Sequence, residues 1–132
     1  MKIVYEKLRS KVEEVRRRTA SLALPEIEAI VALYGSIGSY DTGMTSIQCD
    51  SLRTVLLESL KNRPVVCELT VHDVITDMWG LSAVYCSQTF YLHVFPRDRD
   101  KAIGLTKGQR ILVRGHITSI WGSPLRINVT EA

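Results

Sequence analysis

The chain has 132 residues, with 17 Lys and Arg against 14 Asp and Glu, 45% hydrophobic and 23% charged, which permits one substantial core without disulfide staples. Cys49, Cys67 and Cys86 are odd in number and lack a CxxC pair, which excludes a complete disulfide framework and fits reduced thiols in a cytosol. No apolar run is long enough to span a membrane, the start lacks the apolar stretch of a signal peptide, and a net charge of +3 is too small by itself to mark a nucleic-acid binder.

Tyr5, Leu8, Val12, Val15, Thr19 and Leu22 recur in steps of three and four, so they predict a first amphipathic helix with Lys, Arg and Glu on its other face. The basic triplet Arg16-Arg17-Arg18 falls near its C-terminal end, where cations complement the helix dipole. Pro25 and Glu26 suit the first turn of a second helix, with Ile27, Ile30, Val31 and Tyr34 on one face and Gly35 as its left-handed terminator. Residues 35–43 then read as a loop. Leu52, Val55, Leu56 and Leu60 restore the helical period, with Thr45-x-x-Gln48 or Asp50 as the cap, and Arg63-Pro64 closes the third helix.

After Pro64 the period shortens from about 3.6 to 2 and β-branched and aromatic residues take over. Val65, Cys67, Leu69 and Val71 alternate with more polar residues in a first strand. A turn at Asp77-Met78-Trp79-Gly80 leads to a second strand over 81–86, and a third runs over 89–95 to Pro96. The polar stretch after it has room for one or two helical turns. A fourth strand covers 110–120 and a fifth 125–130, joined by Trp121-Gly122-Ser123-Pro124.

The run Lys107-Gly108-Gln109-Arg110-Ile111-Leu112-Val113-Arg114-Gly115-His116-Ile117 resembles the fourth strand of OB-fold domains of the anticodon-binding and replication-protein type, with Gly115 relieving crowding at a bend. Leu125-Arg126-Ile127-Asn128-Val129 is similar to a fifth strand. The resemblance covers about 64–132 and implies an α+β chain: a helical segment over 1–63, of about three helices that pack or oligomerise, followed by a five-stranded OB-type Greek-key β-barrel over 64–132. It also implies that ligands bind across the second and third strands, flanked by the loops joining strands one to two and four to five.

Those two loops hold Trp79 and Trp121 in a shared I-T-x-x-W-G pattern, and two such rings could clamp an unpaired base. Each ring could equally lie across its own hairpin. In the third strand Phe90, Leu92 and Val94 share one face, while Tyr91, His93 and Phe95 share the other, where stacking ligands or the packed helices would lie, with Tyr85 of the second strand joining them. Charge is polarised: residues 64–96 carry three carboxylates and no Lys or Arg, whereas residues 97–126 carry Arg97, Arg99, Lys101, Lys107, Arg110, Arg114 and Arg126 against two carboxylates. Arg114 and Arg126 are the preferred phosphate contacts.

His72, His93 and His116 have no metal-ligand spacing, and no nucleophile elbow, P-loop or dinucleotide fingerprint occurs, so neither catalysis nor a metal or other cofactor is expected. The expected function is cytoplasmic binding of single-stranded DNA or RNA by aromatic stacking and Lys/Arg phosphate contacts. The alternative is a non-catalytic assembly subunit that docks a second copy or a protein partner through the barrel or the helical stripe. No membrane partner is expected.

Overall fold

A computed structural model describes residues 2–18, 20–38 and 43–132. The architecture is α+β: three helices precede a six-stranded sheet, with one short helix inserted between its strands.

Helix α1 spans Lys2–Arg17, with Arg16 and Arg17 in its last turn. Leu8 and Val12 are buried and Val15 is half-buried, so the apolar stripe faces the chain's own core. The stripe ends earlier than its periodicity suggests. Thr19 lies outside the described residues, and Leu22 is extended, its N–H donating to the Pro64 carbonyl at 2.9 Å while its carbonyl accepts from Val66 N–H at 3.0 Å. Leu22 therefore serves an unpaired strand edge that would otherwise leave backbone groups open.

Helix α2 spans Leu24–Ile37 with Pro25 in its first turn. The Ala23 N–H donates to Glu26 Oε2 at 2.9 Å. Gly35 does not terminate the helix. The helix continues to Ile37, which is fully buried and whose burial favours the additional residues over a stop at Gly35. The predicted loop is thus helical at its start, and its residues 39–42 lie outside those described.

Helix α3 spans Ser46–Leu60. Gln48 N–H donates to Thr45 Oγ1 at 3.2 Å and Thr45 N–H donates to Gln48 Oε1 at 3.0 Å, a reciprocal cap contributing about 1 kcal/mol. Leu52, Leu56 and Leu60 are buried. Asn62, at φ +62°, then turns the chain into the sheet.

The strands are β1 (Pro64–Thr70), β2 (Asp73–Asp77), β3 (Gly80–Cys86), β4 (Phe90–Phe95), β5 (Arg110–Trp121) and β6 (Leu125–Glu131), with helix α4 (Arg99–Ile103) between β4 and β5. Their order is β1-β5-β6-β4-β3-β2, antiparallel except for the parallel β4–β6 pair. The described residues form six strands where five were expected, because Asp73–Asp77 forms a strand of its own on β3, separated from β1 by Val71 and His72.

β1 and β2 stand at opposite ends of the order. In a flat sheet five inter-strand steps would separate them by roughly 24 Å, yet three Cα steps from Thr70 to Asp73 reach at most about 11 Å. The sheet is therefore strongly curled. Val65, Cys67 and Leu69 of β1 meet Leu92, Val94, Val113, Ile117, Ile127 and Val129 inside it, and Ile27, Val31, Leu56 and Leu60 of the helices join the same core. At Gly115 of β5 an added Cβ would run into the Thr130 carbonyl of β6, so the two strands approach as closely as only glycine permits.

Candidate functional site

The site grows from two hairpins with the same punctuation. In the first, between β2 and β3, Asp77 Oδ1 accepts from Trp79 N–H at 2.9 Å and Gly80 adopts φ +116°. In the second, between β5 and β6, Trp121 precedes Gly122 at φ +92°. These left-handed glycines reverse the chain at low steric cost. Each hairpin presents its tryptophan outward, with Trp79 54% and Trp121 43% exposed.

The two hairpins meet. The Trp rings lie 5.9 Å apart between centroids at an interplanar angle of 41°, an ordinary aromatic contact. A clamp closing on both faces of a base would need parallel rings about two stacking thicknesses apart, so the pair in this state forms a single platform. Arg126 ties the hairpins together. Its guanidinium lies 5.2 Å from the Trp121 ring centroid, its Nη1 donates to Asp77 Oδ2 at 2.8 Å and its Nε donates to Asn128 Oδ1 at 2.9 Å. Its Nη2 is buried and has no hydrogen-bond partner.

A polar layer continues below the platform. Asn128 Nδ2 donates to Ser119 Oγ at 2.8 Å, and Ser82 Oγ lies 3.1 Å from His93 Nδ1. The hydrogen bond from Arg126 holds the Asp77 carboxyl below its usual range, helped by the Trp79 N–H and opposed by desolvation. Burial lowers the pKa of His93, and the Arg126 charge adds to that shift while Asp77 opposes it.

The other expected site residues divide. Phe90, Leu92 and Val94 are buried as their shared face predicts, and Tyr91 is 41% exposed opposite Arg126 in the β4–β6 register. His93, only 6% exposed, is covered and cannot stack with a ligand in this state, because the neighbouring strands and Ser82 enclose it. Phe95 is half-buried. Tyr85 does not join the outer aromatics: it pairs with Leu92, its ring lies 6.2 Å from Phe90, and desolvation followed by Glu28 of α2 raises its pKa. It belongs to the side packed on the helices.

The cations gather elsewhere. Lys101, Arg110 and Arg114 line a groove of about 560 Å³ between α4 and β5, together with Asp98 and Glu131. Arg110 Nη2 lies 2.9 Å from Glu68 Oε2, and the Arg97 N–H donates to Glu131 Oε1 at 3.2 Å. Arg97, Arg99 and Lys107 are exposed. Arg110 and Trp121 stand at opposite ends of β5. Of the expected phosphate contacts only Arg126 adjoins the tryptophans, and its charge is engaged by Asp77.

Asp77, Ser82, Ser119 and Asn128 also belong to the site, although the sequence marks none of them as a binding residue. The signal for part of them is the period-two polar row Arg126, Asn128, Thr130 on β6, which marks one face of that strand. Cys67 is buried, and desolvation pushes its thiol up to about 11. Among the described residues no three His, Cys, Asp or Glu side chains form a group that could hold a metal.

Comparison of the chain with protein-family models, with curated proteins and with solved structures finds no match.

Proposed function

We propose that the chain is a single-stranded nucleic-acid-binding protein, with β1 and β2 together acting as the first strand of an OB-type barrel. The strand order supports this reading, since one interrupted strand serves both edges of the curled sheet. The observation that carries the function is the meeting of the exposed Trp79 and Trp121 beside Arg126, on the two hairpins that would flank an OB binding face.

In this reading a base stacks on the outer face of the tryptophan platform, worth about 1–3 kcal/mol per base. Arg126 supplies a cation beside the Trp121 ring on which that base would stack. Tyr91 extends the surface, and Arg114, Arg110 and Lys107 contact phosphates toward the far end of β5. Cations that meet phosphates and not base edges fit a binder with little sequence preference.

Titration of intrinsic Trp fluorescence with oligo(dT) and oligo(U), repeated at rising salt, tests the proposal. Quenching that weakens steeply with salt is expected. A Trp79→Ala, Trp121→Ala double variant, followed by anisotropy of a labelled oligonucleotide, should lose at least tenfold in affinity. Absence of binding at low salt would overturn the reading.

A second reading, a protein-assembly subunit, is favoured by Val66 and Leu112, exposed apolar residues on the paired strands β1 and β5. A concentration-dependent dimer abolished by Leu112→Lys would support it.

A further inference from the structure

The helical half carries a feature that nucleic-acid binding does not use. Between α1 and α2 lies a cleft of about 610 Å³, open along one side. Its walls include Leu8, Val15, Leu22, Ile30 and Leu33, and Arg63 also lines it.

Arg63 is only 7% exposed. One guanidinium nitrogen, Nη2, donates to the Val15 carbonyl near the end of α1 at 2.7 Å, and Nη1 is buried with no hydrogen-bond partner. A buried guanidinium ordinarily has a carboxylate beside it, because an unpaired buried charge is costly. The two carboxylates lining the cleft are engaged elsewhere. Glu14 pairs with Arg18 at 3.0 Å and Glu26 accepts from the Ala23 N–H at 2.9 Å. Among the described residues, none of the ion pairs includes Arg63. Lys11, Arg18 and Arg63 outnumber Glu14 and Glu26 by one, so the charge of the lining favours a ligand with a single negative group.

We propose that the cleft between α1 and α2 binds a long-chain carboxylate, with its alkyl chain between the helices and its head directed to Arg63. The walls favour an alkyl chain over an extended peptide. Both are helices whose backbone groups are bonded internally, so they offer no edge to satisfy a peptide's N–H and C=O groups, whereas an alkyl chain has none to satisfy. The volume falls in the usual range for small-ligand sites. Several acidic groups on one ligand would meet Glu14 and Glu26, which limits the head to one anion.

Calorimetric titration of the full chain with laurate below its micelle concentration and with dodecanol below its solubility limit tests the proposal. One laurate per chain is expected, with dodecanol at least tenfold weaker. Arg63→Met should bring laurate down to the dodecanol level. Because that variant also removes the contact to α1, a second one leaves Arg63 in place: Ala29→Trp, on the exposed side of α2, should fill the cleft and abolish both ligands with unchanged circular dichroism. Laurate that fails to bind, that binds no better than dodecanol, or that binds Ala29→Trp undiminished would overturn the proposal. A concentration-dependent dimer lost in Ala29→Trp would assign the cleft to a second copy and also overturn it. Oligonucleotide affinity should be unchanged in Ala29→Trp, which separates this site from the tryptophan platform.

Discussion

Arg126 and Asp77, 49 residues apart in sequence, join at 2.8 Å and fasten the β5–β6 hairpin to the β2–β3 hairpin. The pair is largely shielded, with side-chain exposures of 13% and 26%, so it contributes more than a solvated surface bridge. Asp77→Asn should lower stability by about 1–2 kcal/mol through loss of a charge-assisted bond. It should also raise affinity for oligo(dT), because the guanidinium is freed for phosphate. Urea unfolding and a double-mutant cycle with Arg126→Met check the first part, and strictly additive effects would refute the coupling. Lower oligonucleotide affinity in Asp77→Asn would refute the second.

His93 makes the stability of this region depend on pH. Burial and Arg126 hold its native value below 6.5, so as pH falls the unfolded chain takes up the proton before the native one does. Stability is full above the unfolded value and declines through it until pH passes below the native value. Asp77, also depressed, adds a second loss that begins only near its ordinary value of 3.8. The urea midpoint should therefore begin to fall as pH drops through about 6.5, the unfolded value of His93, and fall further below 3.8. His93→Gln should flatten the first fall and leave the second. An unaltered slope in the variant would remove His93 as the cause.

Local pattern predicts the structure wherever tertiary burial agrees with it. Val65, Cys67 and Leu69 alternate as a half-buried strand must, and Thr45 and Gln48 form the reciprocal cap that their spacing predicts. It fails where a distant contact decides. Leu22 sits in phase with α1, but β1 offers it a backbone partner, and Gly35 resembles a terminator although buried Ile37 keeps the helix going. The site follows the same division. Each tryptophan and its glycine could be read from six residues, whereas the meeting of the rings and the diversion of Arg126 to Asp77 depend on sheet curl, to which no local period responds. The basic stretch after Phe95 was legible as charge, but its distance from the tryptophans was set by the length of β5.

Two glycines with opposite surroundings test how tightly the sheet is packed. At Gly115 a methyl group would meet the Thr130 carbonyl and lie 3.1 Å from the Glu131 Cα, both backbone groups that cannot swing aside. Gly115→Ala must push β5 from β6 beside the ladder that carries Arg126 and Asn128, at a cost of roughly 1–3 kcal/mol. Gly35 lies inside α2 with nothing within 4 Å of an added Cβ. There alanine relieves the entropic cost of glycine in a helix and should stabilise by about 0.5–1 kcal/mol. Urea midpoints should thus move in opposite directions for the same chemical change. Gly115 and Trp121 share the β5–β6 ladder, so displacing β5 in Gly115→Ala should also shift the Trp emission spectrum in the native state, whereas Gly35→Ala should not. A Gly115→Ala protein as stable as the parent would mean that the β5–β6 approach is looser than its geometry indicates.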